Sequence, residues 1–540
     1  AVDIDGAVQI DNTVTVGVDD TGHDVKFFGA TSGKYMFWDE SEDELKVSGD
    51  LISVTAGTSN FVAGAGAGDA IQSGGNYNVC VGDSAGTAIT TGDLNILIGY
   101  TAGRDLTATS SNIAIGGNAI QSADTETHNL AIGRDALSIA NSGGEYNVAI
   151  GNYTLDALTS GDKNICIGYD AGGALTTGSE NTIIGENAGS NGAITGDGNT
   201  VVGKIAGYAL TSGHSNTLIG RHAASSLDAG LRNTALGYGA LDSAADAEND
   251  NIAIGYNALA AGSLAGGEFN VAVGNYTLDA LTSGDCNVAI GYGALSANTT
   301  GADNIAVGYS ALGANTTGGY NNAIGRGSLV SNTTGTYNVA IGRRTGESVT
   351  EGHNNVLLGT EAGISLTTGD NNLLLGKEAG VTGSPGGNLT TEDNIIVLGD
   401  DNITASNIQV DWTVASDARD KTDFTDLDIG LDFINALKPY TYKWDKRIKY
   451  ISEENRGVED LDTITHDGTH KEDWLDIGFK AQEVETLEKA SGYKIEDKTN
   501  LTTSLTGDGK QYGIQYSKFI PILVNAIKEL KKEIDELKNK

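Results

Sequence analysis

Proline is nearly absent, at 3 of 540 residues, and aromatic residues make up only 6%. Glycine is plentiful at 76, but it does not fall at every third position, so a collagen triple helix is excluded. Cysteine numbers three: Cys80, Cys166 and Cys286. An odd, dispersed set gives neither a disulfide framework nor a zinc spacing, and the expectation is small buried hydrophobes. No run of 18 apolar residues exists to span a membrane, and no signal peptide is visible. Basic residues are scarce upstream of Ser416: residues 1–415 carry 13 Lys+Arg against 45 Asp+Glu. Such a surface repels phosphates, so nucleic acid is excluded as a partner, whereas solubility and salt tolerance are favoured. The chain begins at Ala1 rather than Met, and the expectation is that an upstream piece has been removed or omitted.

What is abundant is repetition. The five-residue unit Asn-φ-small-φ-Gly, with φ usually aliphatic, occurs as Asn78-Val-Cys-Val-Gly82 and Asn95-Ile-Leu-Ile-Gly99. It recurs through Asn372, with a degenerate copy from Asn394. That makes 19 copies, 17 residues apart apart from a few steps of 18, one of 19 and a last step of 22. Two stretches, from Asn147 and from Asn270, are near duplicates. Positions two and four of the unit point to one face of a strand and position three to the other. All three are apolar or small, which predicts a strand buried on both faces. The closing glycine marks a bend, and sequences such as Thr299-Thr300-Gly301 read as turns. A strand, a corner, a short Ala-Leu run and a turn add up to one coil of a parallel β-solenoid. Stacked asparagines would form a hydrogen-bonded ladder. With strands about 4.8 Å apart, 19 coils predict a rod of roughly 90 Å. A column of small residues buries little area, so the second apolar face needs a partner. Three-fold self-association is the simplest closed answer, either as packed rolls or as an interwound three-chain β-helix.

The unit resembles the head repeat of trimeric autotransporter adhesins, as in Val148-Ala149-Ile150-Gly151 and Val288-Ala289-Ile290-Gly291. That resemblance implies a parallel β-roll in trimers. Residues 1–60 lack the repeat. Val2–Asp11 and Thr13–Val18 alternate as half-exposed strands, while Phe27-Phe28 and Tyr35–Trp38 supply bulk. This stretch resembles modules of marine phage structural proteins and is expected to join the chain to an upstream protein.

After Asn394 aromatics, lysines and helical patterns appear. Ser416-Asp417-Ala418-Arg419-Asp420-Lys421 opens the segment, followed by Leu431–Trp444, Ile477–Glu485 with Gln482 and Glu483, and Tyr512–Leu530. In this order the motifs resemble the intramolecular chaperone domain of endosialidases and other phage tail spikes and fibres. The resemblance implies trimeric folding of a β-fibre and self-cleavage just before the serine, between Ala415 and Ser416. Ser416 would be the nucleophile and Lys421 the general base, with Asp417, Arg419, Gln482 and Glu483 as supporting motif residues. A serine hydroxyl needs a base, and a lysine serves only when burial makes it neutral. Five residues is not a helix-face spacing, so the pair must meet through a turn or across subunits. Asp420 stands where the family usually has an aliphatic residue, and a neighbouring carboxylate would hold Lys421 charged. Ile520, Leu523, Ile527, Leu530, Ile534 and Leu537 form a heptad seam.

The fold expectation is therefore mainly β: a homotrimeric rod of about 17-residue solenoid coils, then an α+β chaperone domain ending in a coiled-coil helix. The boundaries are 1–60 (a small β module), 61–400 (the shaft), 401–415 (a junction) and 416–540 (the chaperone and auto-protease). The functional expectation is a phage tail-fibre protein that attaches the virion to its host. The alternatives are a bacterial adhesin and a glycan depolymerase, although no carboxylate pair for glycan hydrolysis stands out. Expected partners are two further copies, an upstream virion or fibre protein, and a host surface glycan or protein, with no membrane insertion. Tyr100, Tyr169, Tyr238, Tyr256, Tyr292 and Tyr309 follow core glycines and are candidates for a strip contacting glycans. His466 and His470 lie four apart across an Asp-Gly-Thr turn. No metal site is expected, the calcium nonapeptide being absent, and no cofactor.

Overall fold

The structure, a computed structural model, describes residues 25–28, 35–39, 44–48, 55–122, 127–139, 144–242, 248–260, 267–409, 412, 414–452 and 460–540. The expected strands within residues 2–18 lie outside the described residues. The chain divides into two compact units, Ala1–Gly198 and Asn199–Lys540.

The first unit opens with a three-stranded antiparallel sheet of Val25–Phe28, Tyr35–Asp39 and Glu44–Ser48. Parallel solenoid coils follow, each with one three-residue strand, from Phe61–Ala63 to Thr182–Ile184. The second unit carries the coils from Thr200–Val202 to Ile396–Leu398 and then the C-terminal domain. Successive strands of the one chain pair directly, the arrangement of a roll. Ile305, Ala306 and Val307, for instance, lie opposite Asn322, Ala323 and Ile324. Within each unit the paired strands meet at equivalent repeat positions, so the side chains of one repeat position stack on one another.

That register sorts the strand faces. Position three points inward and is fully buried, as at Leu97 and Cys166 in the first unit and Leu218 and Ala306 in the second. Burial pushes the Cys80 thiol up to about 12 and raises that of Cys166 as well. Both are inert filler, as the sequence predicts. Cys286 is different: it stands just before Asn287, faces outward and is exposed. Positions two and four are not buried on their side of the strand as expected. Ile290, Ile305, Ile324 and Ile341 remain about 40% exposed and run as open apolar rows.

The ladder asparagines are buried. The Asn304 amide nitrogen donates to Asn287 Oδ1 at 3.1 Å and to Gly318 O at 2.9 Å, and its backbone N–H donates to the same Asn287 oxygen. Residues just before the asparagine, such as Asp303 and Tyr320, take left-handed backbone angles, a cost the stacked hydrogen bonds must offset. The closing glycines are obligatory: a Cβ on Gly308, at φ +141°, would lie 2.5 Å from Gly325 O. The Ala-Leu run is turn rather than strand, because leucines such as Leu295 and Leu312 have φ of 52°. Their side chains still fill the interior.

Two repeat assignments change. Asn60-Phe61-Val62-Ala63-Gly64 is a further coil, pairing with Val79–Val81, its inward position filled by Val62. At the other end the last copy is in register from Ile395, not Asn394. Leu373 pairs with Ile396, and Ile395 N donates to Asn372 Oδ1. Asn372 thus closes the ladder, and Asn394 stacks instead on Asn371, the residue before the ladder position.

Among the described residues the C-terminal domain holds three α-helices, α1 (Leu431–Ala436), α2 (Ala481–Ala490) and α3 (Phe519–Lys538). Two antiparallel strand pairs accompany them, Tyr440–Tyr442 with Asp476–Gly478 and Thr503–Leu505 with Tyr512–Ile514. Ile429, Phe433, Val484, Phe519 and Ile522 form its core. Glu488 of α2 is wholly buried and accepts hydrogen bonds from Thr502 and Thr503, which ties α2 to the second strand pair.

Candidate functional site

The local sequence makes Ser416–Lys421 a tight turn. Asp417 caps a short 3₁₀ turn, Ala418–Asp420, by accepting from Arg419 N at 2.9 Å. The Arg419 guanidinium folds back on the same carboxylate at 2.6 Å, and this bond holds the Asp417 carboxyl below the usual carboxylate range. Lys421 N then closes the turn on Ala418 O at 3.3 Å. The turn delivers the Lys421 Nζ to 2.6 Å from Ser416 Oγ. A five-residue separation that no helix face could bridge is therefore spanned within one chain. Among the described residues Asp420 makes no ion pair with Lys421. Ser416 and its neighbours through Asp426 are exposed in the single chain.

Gln482 and Glu483 lie on α2 and share no hydrogen bond or ion pair with Ser416 or Lys421 among the described residues. Glu483 accepts from the Tyr440 hydroxyl at 2.9 Å and pairs with Lys480 at 3.1 Å. The Lys480 bond first, then the Tyr440 bond, lowers its carboxyl. Gln482 is exposed. Glu483 thereby ties α2 to Tyr440 of the Tyr440–Tyr442 strand.

The tyrosines divide. Tyr238, Tyr256, Tyr292 and Tyr309 come together, joined by Tyr276, into one ladder with ring centroids 5.2–5.6 Å apart. Tyr276 sits two residues after its glycine, so the rule of a tyrosine directly after glycine missed it. Arg221 and Arg326 lie over the terminal rings, at 5.8 and 5.6 Å. Tyr169 instead meets Tyr153 edge-on, and Tyr100 joins no ring contact among the described residues. His466 and His470 both pack on the Tyr450 ring.

A second asparagine ladder escaped the sequence reading, which took Asn-Thr-Thr-Gly as plain turns. Asn315 donates to Asn298, and Asn332 to Asn315, at 2.8–2.9 Å. On α3, Phe519, Ile522 and Ala526 face the domain core. The seam residues Ile520, Leu523, Ile527, Leu530, Ile534 and Leu537 are exposed, on a face that flanks the core-facing one. No helix among the described residues is long and apolar enough to cross a membrane.

Residues 416–492 match the family model described as chaperone of endosialidase. The match begins at Ser416 and contains the Ser416–Lys421 turn, α1 and α2. No curated protein and no solved structure matches the chain. The chain thus joins parallel β-solenoid coils to a C-terminal chaperone-of-endosialidase domain.

Proposed function

We propose that the chain is a homotrimeric host-attachment fibre of the phage tail-fibre kind, whose C-terminal domain assembles the trimer and then severs itself between Ala415 and Ser416. One observation carries the cleavage: the 2.6 Å hydrogen bond between Lys421 Nζ and Ser416 Oγ, at the first residue of the family match. Along that line a neutral Lys421 amine takes the hydroxyl proton as Ser416 Oγ attacks the Ala415 carbonyl carbon. The C–N bond breaks, the proton passes to the departing Ser416 nitrogen, and an ester links Ala415 to Ser416 Oγ. Water hydrolyses the ester, leaving the Ala415 carboxylate and a free Ser416 hydroxyl and amine.

The dyad is exposed in one chain, whereas a lysine base must be desolvated to be neutral. A neighbouring copy packed over the turn supplies that burial, so cleavage waits for assembly. The open isoleucine rows and the exposed α3 seam are the surfaces that favour association of copies. Ser416→Ala is expected to leave one band of full length on a denaturing gel where the wild type gives two. Identical patterns for both would remove the protease reading.

A further inference from the structure

The last coil breaks the period. Asn372 and Ile395, equivalent in register, are separated by six residues more than the usual 17. The excess forms the segment Gly380-Val-Thr-Gly-Ser-Pro-Gly-Gly387. Its inner side closes the solenoid: a Cβ on Gly386 would lie 2.4 Å from Val397, the last inward residue, and Gly380 abuts Leu374 and Leu389. Its outer side is gripped by the C-terminal domain. Gly383 lies against Ile448, where an added Cβ would come within 2.5 Å of the side chain, and a Cβ added to Gly387 would lie 2.7 Å from Thr506. Ile448 is 3% exposed and clusters with Ile451 and Leu461.

Polar bonds frame this contact. Asp508 Oδ2 accepts from Asn388 N at 3.0 Å, and the Lys446 ammonium donates to Asp401 O. The Gln511 amide, oriented by its hydrogen-bond network, donates to Ser384 O and accepts from Gly383 N, both at 3.2 Å. Glu392 gives its carbonyl to the Asn372 amide and packs its carboxylate against Gly507. All the domain's partners here come after Ser416, and all the loop's come before Ala415.

From this geometry we infer that the Gly380–Gly387 loop is a docking socket that keeps the C-terminal domain bound to the last coil after the chain is cut. The domain is then a retained end-cap rather than a discarded tool. The inference rests on the proposed cleavage for its biological setting, but not for its test. A site-specific protease sequence inserted after Val414 supplies a cut whether or not Ser416 acts.

The cut protein is passed over a size-exclusion column without denaturant, and its peaks are run on denaturing gels. Both fragments are expected in one peak at the mass of the uncut protein. Gly383→Val with Gly387→Val is expected to release the C-terminal fragment into its own peak. Asp508→Ala, which removes one bond across the contact together with the local bonds from Thr506 Oγ1 and Lys510 N and changes no glycine, is expected to speed its loss at least tenfold on dilution and guards against misfolding of the glycine variant. Wild-type fragments that elute apart overturn the inference, as do Asp508→Ala fragments that separate no faster than wild type. Failure of autocleavage is read separately, as a single band in the protein without the inserted site.

Discussion

At the residue scale, the repeat makes every side chain meet its own equivalents, which favours some residues and penalises others. Asparagine profits, since each amide can donate and accept along the ladder, and its loss would leave the next N–H buried and unpaired. Aspartate suffers. Asp156 of the near-duplicate coils is half-buried, and burial first, then Asp170 and Asp135, raises its carboxyl to about 6 despite backbone bonds from its own and the Ala157 N–H. Asp279, its counterpart in the second near-duplicate, is raised by burial too. A folded-state value above the unfolded one of about 3.9 means that protonation favours folding. The associated stability is fully present below about pH 4 and is lost as pH rises through 6. Asp156→Asn should therefore raise the stability of this coil at pH 7.5 by about 1 kcal/mol, the full shift being discounted for partial exposure. The gain should shrink towards zero at pH 4.5. Thermal melts of both proteins at the two pH values check this, and an equal gain at both would reject the ionisation argument. None of this was legible beforehand: the sequence shows Asp156 as one more acidic turn residue, and its burial depends on the coils above and below. The Ser416–Lys421 pair was more legible, since six contiguous residues encode both the dyad and the Asp417–Arg419 clasp that shapes the turn. The sequence left open whether a turn or a second subunit joins the pair, and the turn does.

At the element scale, a three-residue strand has a legible inside and an ambiguous outside. Alternation assigns position three to one face and positions two and four to the other, but both faces are apolar, so the pattern reads as burial on both. Only the inner face is buried within a chain, and the outer rows remain open. Letter matching also misplaced the last coil, because Asn394 imitates the ladder residue while hydrogen bonding puts Ile395 there. The Asn60 coil was missed because Val62 and Ala63 exchange the usual small and large positions. The outer rows give a direct test of association. Ile290→Asp with Ile324→Asp places two carboxylates on position four, with the Val307 coil between them. Each isoleucine is about 40% exposed, so one chain can still wind its coils around either charge. Sedimentation velocity should show the proposed trimer converting to monomer while the circular dichroism of the coils persists. A trimer that withstands both charges would place the seam elsewhere, with α3 the next surface to vary.

At the scale of the whole molecule, near-identity of the coils creates a problem of alignment. Any coil fits above any other, and copies of the chain could associate one coil out of step at little cost in contacts. The repeated Asn-φ-small-φ-Gly unit does little to resolve this, since it carries nearly the same information in every coil. What breaks the degeneracy is aperiodic: the expanded Gly380–Gly387 loop and the domain that seats Ile448, Thr506 and Asp508 on it. That contact joins residues 120 positions apart, so no pattern of spacing announces it, whereas the family motifs from Ser416 announce only that a chaperone follows. A domain that associates through its α3 seam, while fixed to one unique loop in each chain, would set the copies in a common register before the coils zip. The chain ending at Ala415 keeps every coil and the loop but loses that reference. When produced alone it should yield a broad distribution of associated species and precipitate, where the full chain yields a single trimer peak by light scattering. Supplying residues 416–540 as a separate chain should restore little, because alignment requires each domain to be tethered to its own last coil during winding. A uniform trimer from the truncated chain would show that the coils set their own register and would leave the domain a role in capping alone.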